Sequence, residues 1–233
     1  MSDREEGLPF VRANHGALSE TVNPLPIYRA LERMKGGGTS NVYRVEVDQV
    51  PYAVKASPFY LDREARILSR LANPHILPVL ASGEATLDTS AIPDDKNDGV
   101  VANTLRFRFV SNSLTSELDK LPPQVRRQIL QQLLETLRYV HQAGIVHRDI
   151  KIDNVLLEQE NSLLIDFGNA KEFELPAREK DFLPLQQQDL RNFAIMIRQV
   201  LASEPDINFQ ALDALMTAED ISIDQLEVVL RAI

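Results

Sequence analysis

The sequence predicts an α+β protein in which strands dominate the first half of the chain and helices the second. Apolar and polar residues alternate over residues 42–47 and 105–110, a pattern typical of half-buried β-strands. Apolar residues recur at helical spacing over residues 123–142 and are almost continuous over residues 189–201, which is typical of buried helices. A chain of 233 residues can form one large domain or two small lobes that share a cleft.

The composition argues against several classes of function. A formal net charge of -9 and a pI of about 5.0 disfavour binding to nucleic acid or anionic lipid by general attraction. The absence of cysteine rules out disulfides and thiolate zinc sites and is typical of a reducing compartment. No apolar run is long enough for a membrane helix, and residues 1–10 are too charged for a signal peptide. We therefore expect a cytoplasmic protein with no membrane segment and no nucleic-acid partner.

A glycine-rich turn follows the first predicted strand. Residues 1–26 mix Gly, Pro, Asn and charged residues and indicate a tail, whereas residues 28–35 indicate a strand. Gly36, Gly37 and Gly38 then lead through Ser40 into the strand that carries Val42. Glycine has no Cβ, so backbone N–H groups can approach a phosphate closely at such a turn. The alternative is an ordinary hairpin turn without a ligand.

A lysine and a glutamate follow this turn in a suggestive order. The predicted strand of residues 51–55 ends on Lys55, and residues 61–71 have helical spacing and carry Glu64. The two side chains can form an ion pair if the helix returns over the sheet. The alternative is that both are ordinary solvated surface residues.

The most informative stretch runs from His147 to Asp166. Two apolar runs, residues 155–157 and 163–165, are separated by a polar turn, which predicts a β-hairpin. The hairpin would carry Asp149, Asn154 and Asp166 to one edge. Three oxygen-bearing side chains suit a hard cation such as Mg²⁺, which keeps water and phosphate among its ligands.

The order of these residues resembles the active-site motifs of protein kinases. His-Arg-Asp-x-Lys-x-x-Asn over residues 147–154 is similar to the family's catalytic loop, and Asp-Phe-Gly over residues 166–168 to its metal-binding loop. The resemblance implies a two-lobed protein-kinase-like fold with three parts. They are a tail over residues 1–26, a small β-rich N-lobe over residues 27–111 and a reduced helical C-lobe over residues 112–233.

The resemblance also implies a role for each polar residue of these motifs. Asp149 would accept the proton of the substrate hydroxyl, and Lys151 would lie beside the transferred phosphate, as in serine/threonine-directed kinases. Asn154 and Asp166 would bind Mg²⁺. His147 is expected to pack beneath Phe167 as a core residue rather than to carry protons.

For the nucleotide, the resemblance implies that Lys55 contacts the α- and β-phosphates of ATP and pairs with Glu64, while Ala53 and Val42 cover the adenine. In the family's glycine-loop pattern the three glycine positions fall on Lys35, Gly37 and Ser40, so only the middle glycine is retained. The implied ATP-binding residues are Gly36, Gly37, Gly38, Ser40, Val42, Ala53, Lys55 and Leu156.

The chain departs from the family between Asp166 and Asp189. This segment has no Ser, Thr or Tyr and lacks the Ala-Pro-Glu sequence that ends it in kinases, so it cannot be switched on by its own phosphorylation. Arg148 is therefore expected to pair with an acid of the segment, and the enzyme to be always active. The candidate acids are Glu172, Glu174 and Asp181. The alternative is ordering by an activating partner protein.

Three further structural expectations concern other parts of the chain. The resemblance to kinases implies that Asp189, at the start of the second long helix, bonds the backbone of the catalytic loop. Residues 84–100 indicate a solvated polar loop whose spacing does not match a calcium-binding loop. After residue 201 only two short helices fit, near residues 209–218 and 223–233, so the substrate-docking part of the C-lobe is cut down.

The sequence thus predicts a transferase, an ATP- and Mg²⁺-dependent serine/threonine-protein kinase acting on a protein substrate. A shortened kinase of this kind resembles effector kinases that bacteria inject into host cells, which makes a host protein one candidate substrate. The first alternative is a catalytically inactive kinase-like scaffold, for which the missing glycines argue. The second is a small-molecule phosphotransferase of related fold.

Overall fold

A computed structural model describes residues 25–36 and 40–233 of the chain. The described residues form two compact units. The first contains those up to Leu61 together with Leu80–Arg108, and the second contains Asp62–Val79 together with Phe109–Ile233. Most of the predicted tail, with Gly37 and Gly38, lies outside the described residues.

The first unit is a five-stranded sheet in the order β1-β2-β3-β5-β4. All neighbouring pairs are antiparallel except β1 and β4, which pair in parallel and close the sheet on itself. The strands are β1 (Ile27–Gly36), β2 (Asn41–Val47), β3 (Val50–Ser57), β4 (Ala81–Asp88) and β5 (Val101–Arg108). The strands predicted before and after the glycine turn are therefore confirmed.

Alternation of side chains builds the core of this unit. On β2 the inward positions Tyr43 and Val45 are fully buried, while the residues next to them on the strand are partly or fully exposed, as the period of two requires. Val54 from β3 and Leu87 from β4 join them in one apolar cluster. A closed sheet of short strands thereby buries one face of every strand.

The polar loop predicted over residues 84–100 is confirmed only in part. Residues 84–88 belong to β4, which pairs with β5, so the loop begins only after Asp88. Most residues from 89 to 100 are exposed, but the side chain of Asp95 is fully buried and accepts a 3.4 Å hydrogen bond from the Tyr43 hydroxyl. Asn97 donates to the same hydroxyl at 2.8 Å. In the sequence, polar side chains that hydrogen-bond a buried tyrosine cannot be told from the polar side chains of a solvated loop.

The second unit is mainly helical. Its helices are α1 (Asp62–Arg70), α2 (Leu114–Glu117), α3 (Pro123–Gln142), α4 (Glu179–Leu201), α5 (Gln210–Thr217) and α6 (Ile223–Ala232). Its strands are β6 (Asn112–Ser113), β7 (Ile145–Val146), β8 (Val155–Glu158), β9 (Asn161–Leu164) and β10 (Lys171–Glu172). No helix within residues 25–36 and 40–233 is long and apolar enough to cross a membrane.

Helix α3 is the central support of this unit. The six apolar residues on its predicted inner face are all buried, and they are Ile129, Leu130, Leu133, Leu134, Leu137 and Val140. Pro123 at the first helical position fits a helix start, because its missing N–H would have no partner there. Gly144, with φ of 73°, lies just beyond the helix end, where a left-handed glycine is common.

Helix α4 is longer than predicted. It begins at Glu179, whereas the sequence indicated a start near Asp189, so residues 179–188 are helical rather than part of an irregular segment. Glu179 and Asp181 in the first turn favour a helix N-terminus, and Phe182 packs in a buried cluster with Val146 and Phe173. Only Phe182 and Leu185 of this part of the helix pack against that cluster, so helical spacing did not predict the early start.

The two terminal helices are confirmed near their predicted positions. Helix α6 begins with a capping box, in which Ser222 and Gln225 bond each other's backbone N–H groups. Arg138 on α3 holds α6 in place, bonding Asp224 at 2.7 Å and Glu227 at 2.8 Å. Ion pairs between elements thus supplement the apolar packing of a short helix.

Candidate active site

The predicted β-hairpin is present, and the end that carries Asn154 and Asp166 adjoins the preceding loop. β8 and β9 are antiparallel, with Val155 opposite Leu164 and Glu158 opposite Asn161. Asn154 directly precedes β8 and Asp166 closely follows β9, so both lie at the same end of the hairpin. The backbone N–H of Ile165 donates to the Asn154 carbonyl at 3.0 Å and fixes this end.

Asp149, Lys151 and Asn154 form one hydrogen-bonded cluster. Lys151 Nζ donates to both carboxylate oxygens of Asp149, at 2.9 and 2.8 Å. Asn154 Nδ2 donates to the Asp149 backbone carbonyl at 2.8 Å and to its carboxylate at 2.9 Å. Asn154 is fully buried, while a quarter of the Asp149 side chain remains exposed. A buried amide therefore positions a carboxylate that solvent and ligands can still reach.

Charge in the cluster is set by these contacts. Burial raises the pKa of Asp149, but hydrogen bonds from Lys151 and Asn154 and the charge of Lys151 outweigh it and hold the pKa below its ordinary value. The hydrogen bond to Asp149 raises the pKa of Lys151 above its ordinary value, against a smaller effect of burial. The negative charge of Asp166 acts on both groups. At neutral pH the cluster is an ionised carboxylate beside an ammonium.

Two residues of the site adopt strained backbone conformations. Arg148 has φ of 68° and Asp166 has φ of 66°, in the left-handed region that residues with a Cβ rarely adopt. Such conformations cost roughly 1–3 kcal/mol each and persist only where surrounding contacts impose them. Here they flank the residues that carry the charges, which is typical of a functional site.

His147 is a buried neutral histidine, as predicted. Its ring meets Phe167 edge-on at 4.6 Å between centroids, and both residues are fully buried. Its Nδ1 accepts the backbone N–H of Asp149 at 3.3 Å, so its Nε2 bears the proton and donates to the Ile165 carbonyl at 3.1 Å. Burial lowers the pKa of His147, which keeps the ring neutral.

Asp189 fixes the start of the catalytic loop, also as predicted. Its fully buried carboxylate accepts the backbone N–H groups of His147 and Arg148, each at 2.7 Å. It also accepts a hydrogen bond from Nε2 of the buried His141 at 3.0 Å. The sequence analysis did not identify His141, although a histidine six residues before the loop on the buried side of α3 was a visible signal.

The predicted partner of Arg148 is wrong. Its guanidinium donates at 3.3 Å to the carbonyl of Asn169 and pairs with no acid of the described segment. Glu172 instead meets Arg66 and Arg70 of α1, and Asp181 pairs with Arg178. β10 pairs with β7 and places Glu172 beside α1, a long-range relation that local sequence cannot reveal.

Glu64 of α1 is 3% exposed, so the alternative of a solvated helix-face glutamate is wrong. It lies on the buried side of the helix with Ile67 and Leu68. A carboxylate so deep in a protein requires a partner or a ligand, because burial of an unpaired charge is costly.

In the first unit, Lys55 lies on β3 and is only 8% exposed, so the alternative of a solvated lysine is also wrong. Its register neighbours are Val42 on β2 and Leu105 on β5. Ala53 is two residues earlier on β3. Three of the predicted nucleotide residues, Val42, Ala53 and Lys55, therefore lie on two adjacent strands.

The turn before these strands is described only at its ends. Gly36 is the last residue of β1 and pairs with Asn41, and Ser40 directly precedes β2. Gly37 and Gly38 are outside the described residues. Leu156, the remaining predicted nucleotide residue, is half-buried on β8 in the second unit, opposite Ser113 and Leu163.

Comparison with known proteins identifies the family. The model of the protein kinase domain matches residues 30–185, well over half of the chain. The chain belongs to the protein kinase family. The predicted membership of the eukaryotic-like serine/threonine kinase superfamily is confirmed, and so is the predicted class of fold, with its β-rich N-terminal part and helical C-terminal part.

Several curated protein kinases are similar to this chain. A probable serine/threonine-protein kinase of Streptomyces coelicolor is 36% identical over 47% of the chain and 16% of its own length. Cyclin-dependent kinase 14 of Xenopus laevis is 29% identical over 72% of the chain and 39% of its own length. Serine/threonine-protein kinase PknB of Mycobacterium leprae is 32% identical over 48% of the chain and 18% of its own length. The chain thus spans less than half the length of each of these relatives.

Gln187 of α4 connects this helix to the chain just before α6. Its amide oxygen accepts the backbone N–H of Ile221 at 2.8 Å, and its amide nitrogen donates to the Ile221 carbonyl at 2.9 Å. The sequence analysis did not anticipate this contact.

The site also fits the ligands that the family uses. Asn154 donates through its amide nitrogen to Asp149, and its amide oxygen is the atom of this side chain that can ligate a cation. Asp166 supplies carboxylate oxygens, and hard oxygen ligands suit Mg²⁺. No three His, Cys, Asp or Glu side chains among the described residues could hold a metal by themselves. Phosphate and water oxygens would have to complete the coordination, as they do for Mg²⁺ in kinases.

Proposed function

We propose that this chain is an ATP-dependent protein kinase that transfers the γ-phosphoryl group to serine or threonine of a protein substrate. The observation that supports it most is the Asp149 carboxylate, kept ionised by Lys151 and oriented by the buried Asn154. Phosphoryl transfer requires mainly positioning and charge neutralisation, and this cluster supplies both.

Asp149 orients the substrate hydroxyl and accepts its proton as the phosphorus–oxygen bond forms. Lys151 compensates the negative charge of the transferring group, and its bond to Asp149 keeps both side chains in place. A lysine in this loop, two residues after the aspartate, resembles the serine/threonine-directed pattern. Similar proteins named serine/threonine-protein kinases support the same assignment.

Asn154 and Asp166 hold Mg²⁺ in the proposed enzyme. The ion, when bound with ATP, neutralises the charge of the phosphate oxygens and orients the terminal phosphate. The chain's part is to present two oxygen ligands from the same end of a rigid hairpin. The left-handed backbone of Asp166 sets the direction in which its side chain projects.

The nucleotide roles implied by the resemblance belong to this proposal too. Lys55 neutralises the α- and β-phosphates and pairs with Glu64, whose burial supports a role in an ion pair. Val42, Ala53 and Leu156 cover the adenine. The four residues of the glycine turn that offer backbone N–H groups to the phosphates are Gly36, Gly37, Gly38 and Ser40.

The state of the enzyme and its surroundings are further proposals. A segment without Ser, Thr or Tyr from Phe167 to Gln188 supports an enzyme that is active without phosphorylation of that segment, or one activated by a partner protein. The N-lobe over residues 27–111 and the shortened C-lobe over residues 112–233 stay predictions. So does the choice between a cytoplasmic enzyme and an effector that acts on a host protein.

The test is transfer of labelled γ-phosphate from ATP and Mg²⁺ to lysate proteins by the pure chain. Asp149→Ala and Asp166→Ala should abolish transfer while the circular dichroism spectrum is unchanged. Asp153→Ala, an exposed aspartate of the same loop, is the matched control and should retain it. Transfer that survives in both site variants would contradict the assignment, and label found only on a metabolite would indicate a small-molecule phosphotransferase.

A further inference from the structure

One face of α1 carries three arginines that reach the segment after Asp166. Arg63 donates to the carbonyl of Gly168 at 2.7 Å. Arg66 Nε lies 3.4 Å from a carboxylate oxygen of Glu172, and Arg70 forms an ion pair with the other oxygen. The spacing of three and four residues places all three side chains on the same side of the helix.

Glu172 is itself held by the backbone around it. It lies on β10, where it pairs with Ile145 of β7, the strand that leads directly into the catalytic loop. The next residue, Phe173, donates its N–H to the Gly144 carbonyl at 2.8 Å. The carboxylate therefore projects from a strand whose backbone is bonded to β7 and to Gly144, and it is three-quarters buried.

We propose that Glu172 is a positioning residue that sets the orientation of α1 through Arg66 and Arg70, and thereby removes the need for an activating phosphate. The inference rests on the proposed kinase function, in which Glu64 of the same helix pairs with Lys55. A fixed carboxylate with two guanidinium partners resembles chemically the contacts that a phosphate would make. The segment between Phe167 and Gln188 contains no hydroxyl that could be phosphorylated.

The strength of the Glu172 ion pairs determines which measurement will detect their loss. About half of each arginine side chain is exposed, so each ion pair alone is weak. Global stability should therefore change little. The orientation of a nine-residue helix depends on few contacts and should change measurably.

The first experiment compares Glu172→Gln with Glu174→Gln by hydrogen–deuterium exchange of the α1 amides in the full chain without nucleotide. Glu174 is exposed, lies in the same segment and makes no ion pair among the described residues, so it is the matched control. Faster exchange over Asp62–Arg70 is expected for Glu172→Gln only, with a melting temperature lowered by at most about 4 °C. Equal exchange in both variants and in the wild type would overturn the proposal.

The second experiment measures transfer of labelled γ-phosphate by the same chains. Glu172→Gln should lower kcat by roughly three- to tenfold, while Glu174→Gln should leave it unchanged. Glu172→Arg should lower kcat further, and the double variant Arg70→Glu, Glu172→Arg should regain part of the loss, because the pair is restored with reversed charges. A double variant no better than Glu172→Arg would contradict a charge contact as the cause.

The two experiments separate this proposal from the function on which it rests. Exchange at α1 needs neither ATP nor substrate, so it tests the contact even in a chain that transfers no phosphate. A wild-type rate unchanged by prior phosphatase treatment is also expected. A rate lost after phosphatase and regained on phosphorylation would overturn the claim that Glu172 replaces an activating phosphate.

Discussion

Asp189 accepts the backbone N–H of Arg148 in a 2.7 Å hydrogen bond, and this contact joins helix α4 to the catalytic loop. The same buried carboxylate accepts the N–H of His147. Arg148 has a left-handed backbone, so the contact also supports a strained residue directly before Asp149. The position of the Asp149 carboxylate thus depends on a residue forty positions further along the chain.

Asp189→Asn should weaken both stability and transfer. The amide has one accepting oxygen, and its NH₂ would face an N–H donor that the carboxylate now satisfies, which leaves a buried polar group unpaired. We expect a loss of about 2–4 kcal/mol in the free energy of unfolding, measured by urea denaturation, and a reduced kcat. The control is Asp206→Asn, an exposed aspartate, which should change neither. An Asp189→Asn chain of wild-type stability would show that the hydrogen bonds to the loop are unimportant.

Gly144→Ala should destabilise the chain more than Gly99→Ala. Both glycines have a left-handed backbone, with φ of 73° and 69°, so both substitutions cost about 1 kcal/mol for that reason. A Cβ on Gly144 would also lie 2.6 Å from the backbone carbonyl oxygen of Phe173, whereas one on Gly99 would meet nothing within 4 Å. We expect thermal or urea unfolding to show a larger loss for Gly144→Ala. Similar losses would mean that the Phe173 backbone can move aside.

His147 should make the folded chain less stable at mildly acidic pH. Burial lowers its pKa in the folded chain, so between the folded pKa and its ordinary value of about 6.5 the unfolded chain binds more protons. Stability from this residue is therefore present above pH ~6.5 and is lost as pH falls below it. The loss approaches about 1.4 kcal/mol per unit of pKa depression.

The measurement for His147 is the free energy of unfolding of the wild type and of His147→Gln between pH 7.5 and pH 5. Other groups titrate in both chains, so the difference between the two curves isolates the histidine. The wild type should lose more stability than the variant on acidification. Parallel curves would indicate that protonation of the His147 ring does not lower the free energy of unfolding.

Local pattern was sufficient for much of the fold and the candidate site. Alternation predicted β2, helical spacing predicted the buried face of α3, and two apolar runs predicted the β8–β9 hairpin. The motif spacing that pointed to Asp149 and Asn154 is explained by direct hydrogen bonds between them. Each of these features is carried by residues close together in the chain.

The features that the sequence did not reveal depend on distant residues. Glu172 meets α1 and not Arg148, because β10 pairs with β7, and nothing near Glu172 in the sequence indicates that pairing. Asp95 looked solvated, although it is buried against Tyr43 more than fifty residues away. The start of α4 packs through Phe182 and Leu185 against Val146 and Phe173, which are distant in the sequence or outside the helix. Periodicity reports which side of an element is buried, but not which element will cover it.

Phosphosite mapping tests the central claim most directly. Cell lysate treated with phosphatase and then freed of it is incubated with ATP, Mg²⁺ and either the wild-type chain or Asp149→Asn, which keeps the shape of the side chain but removes its charge. Mass spectrometry should find new phosphates on serine and threonine of lysate proteins with the wild type alone. Equal phosphosites with both chains, or none with the wild type, would contradict the assignment of Asp149 as the residue that enables transfer to protein.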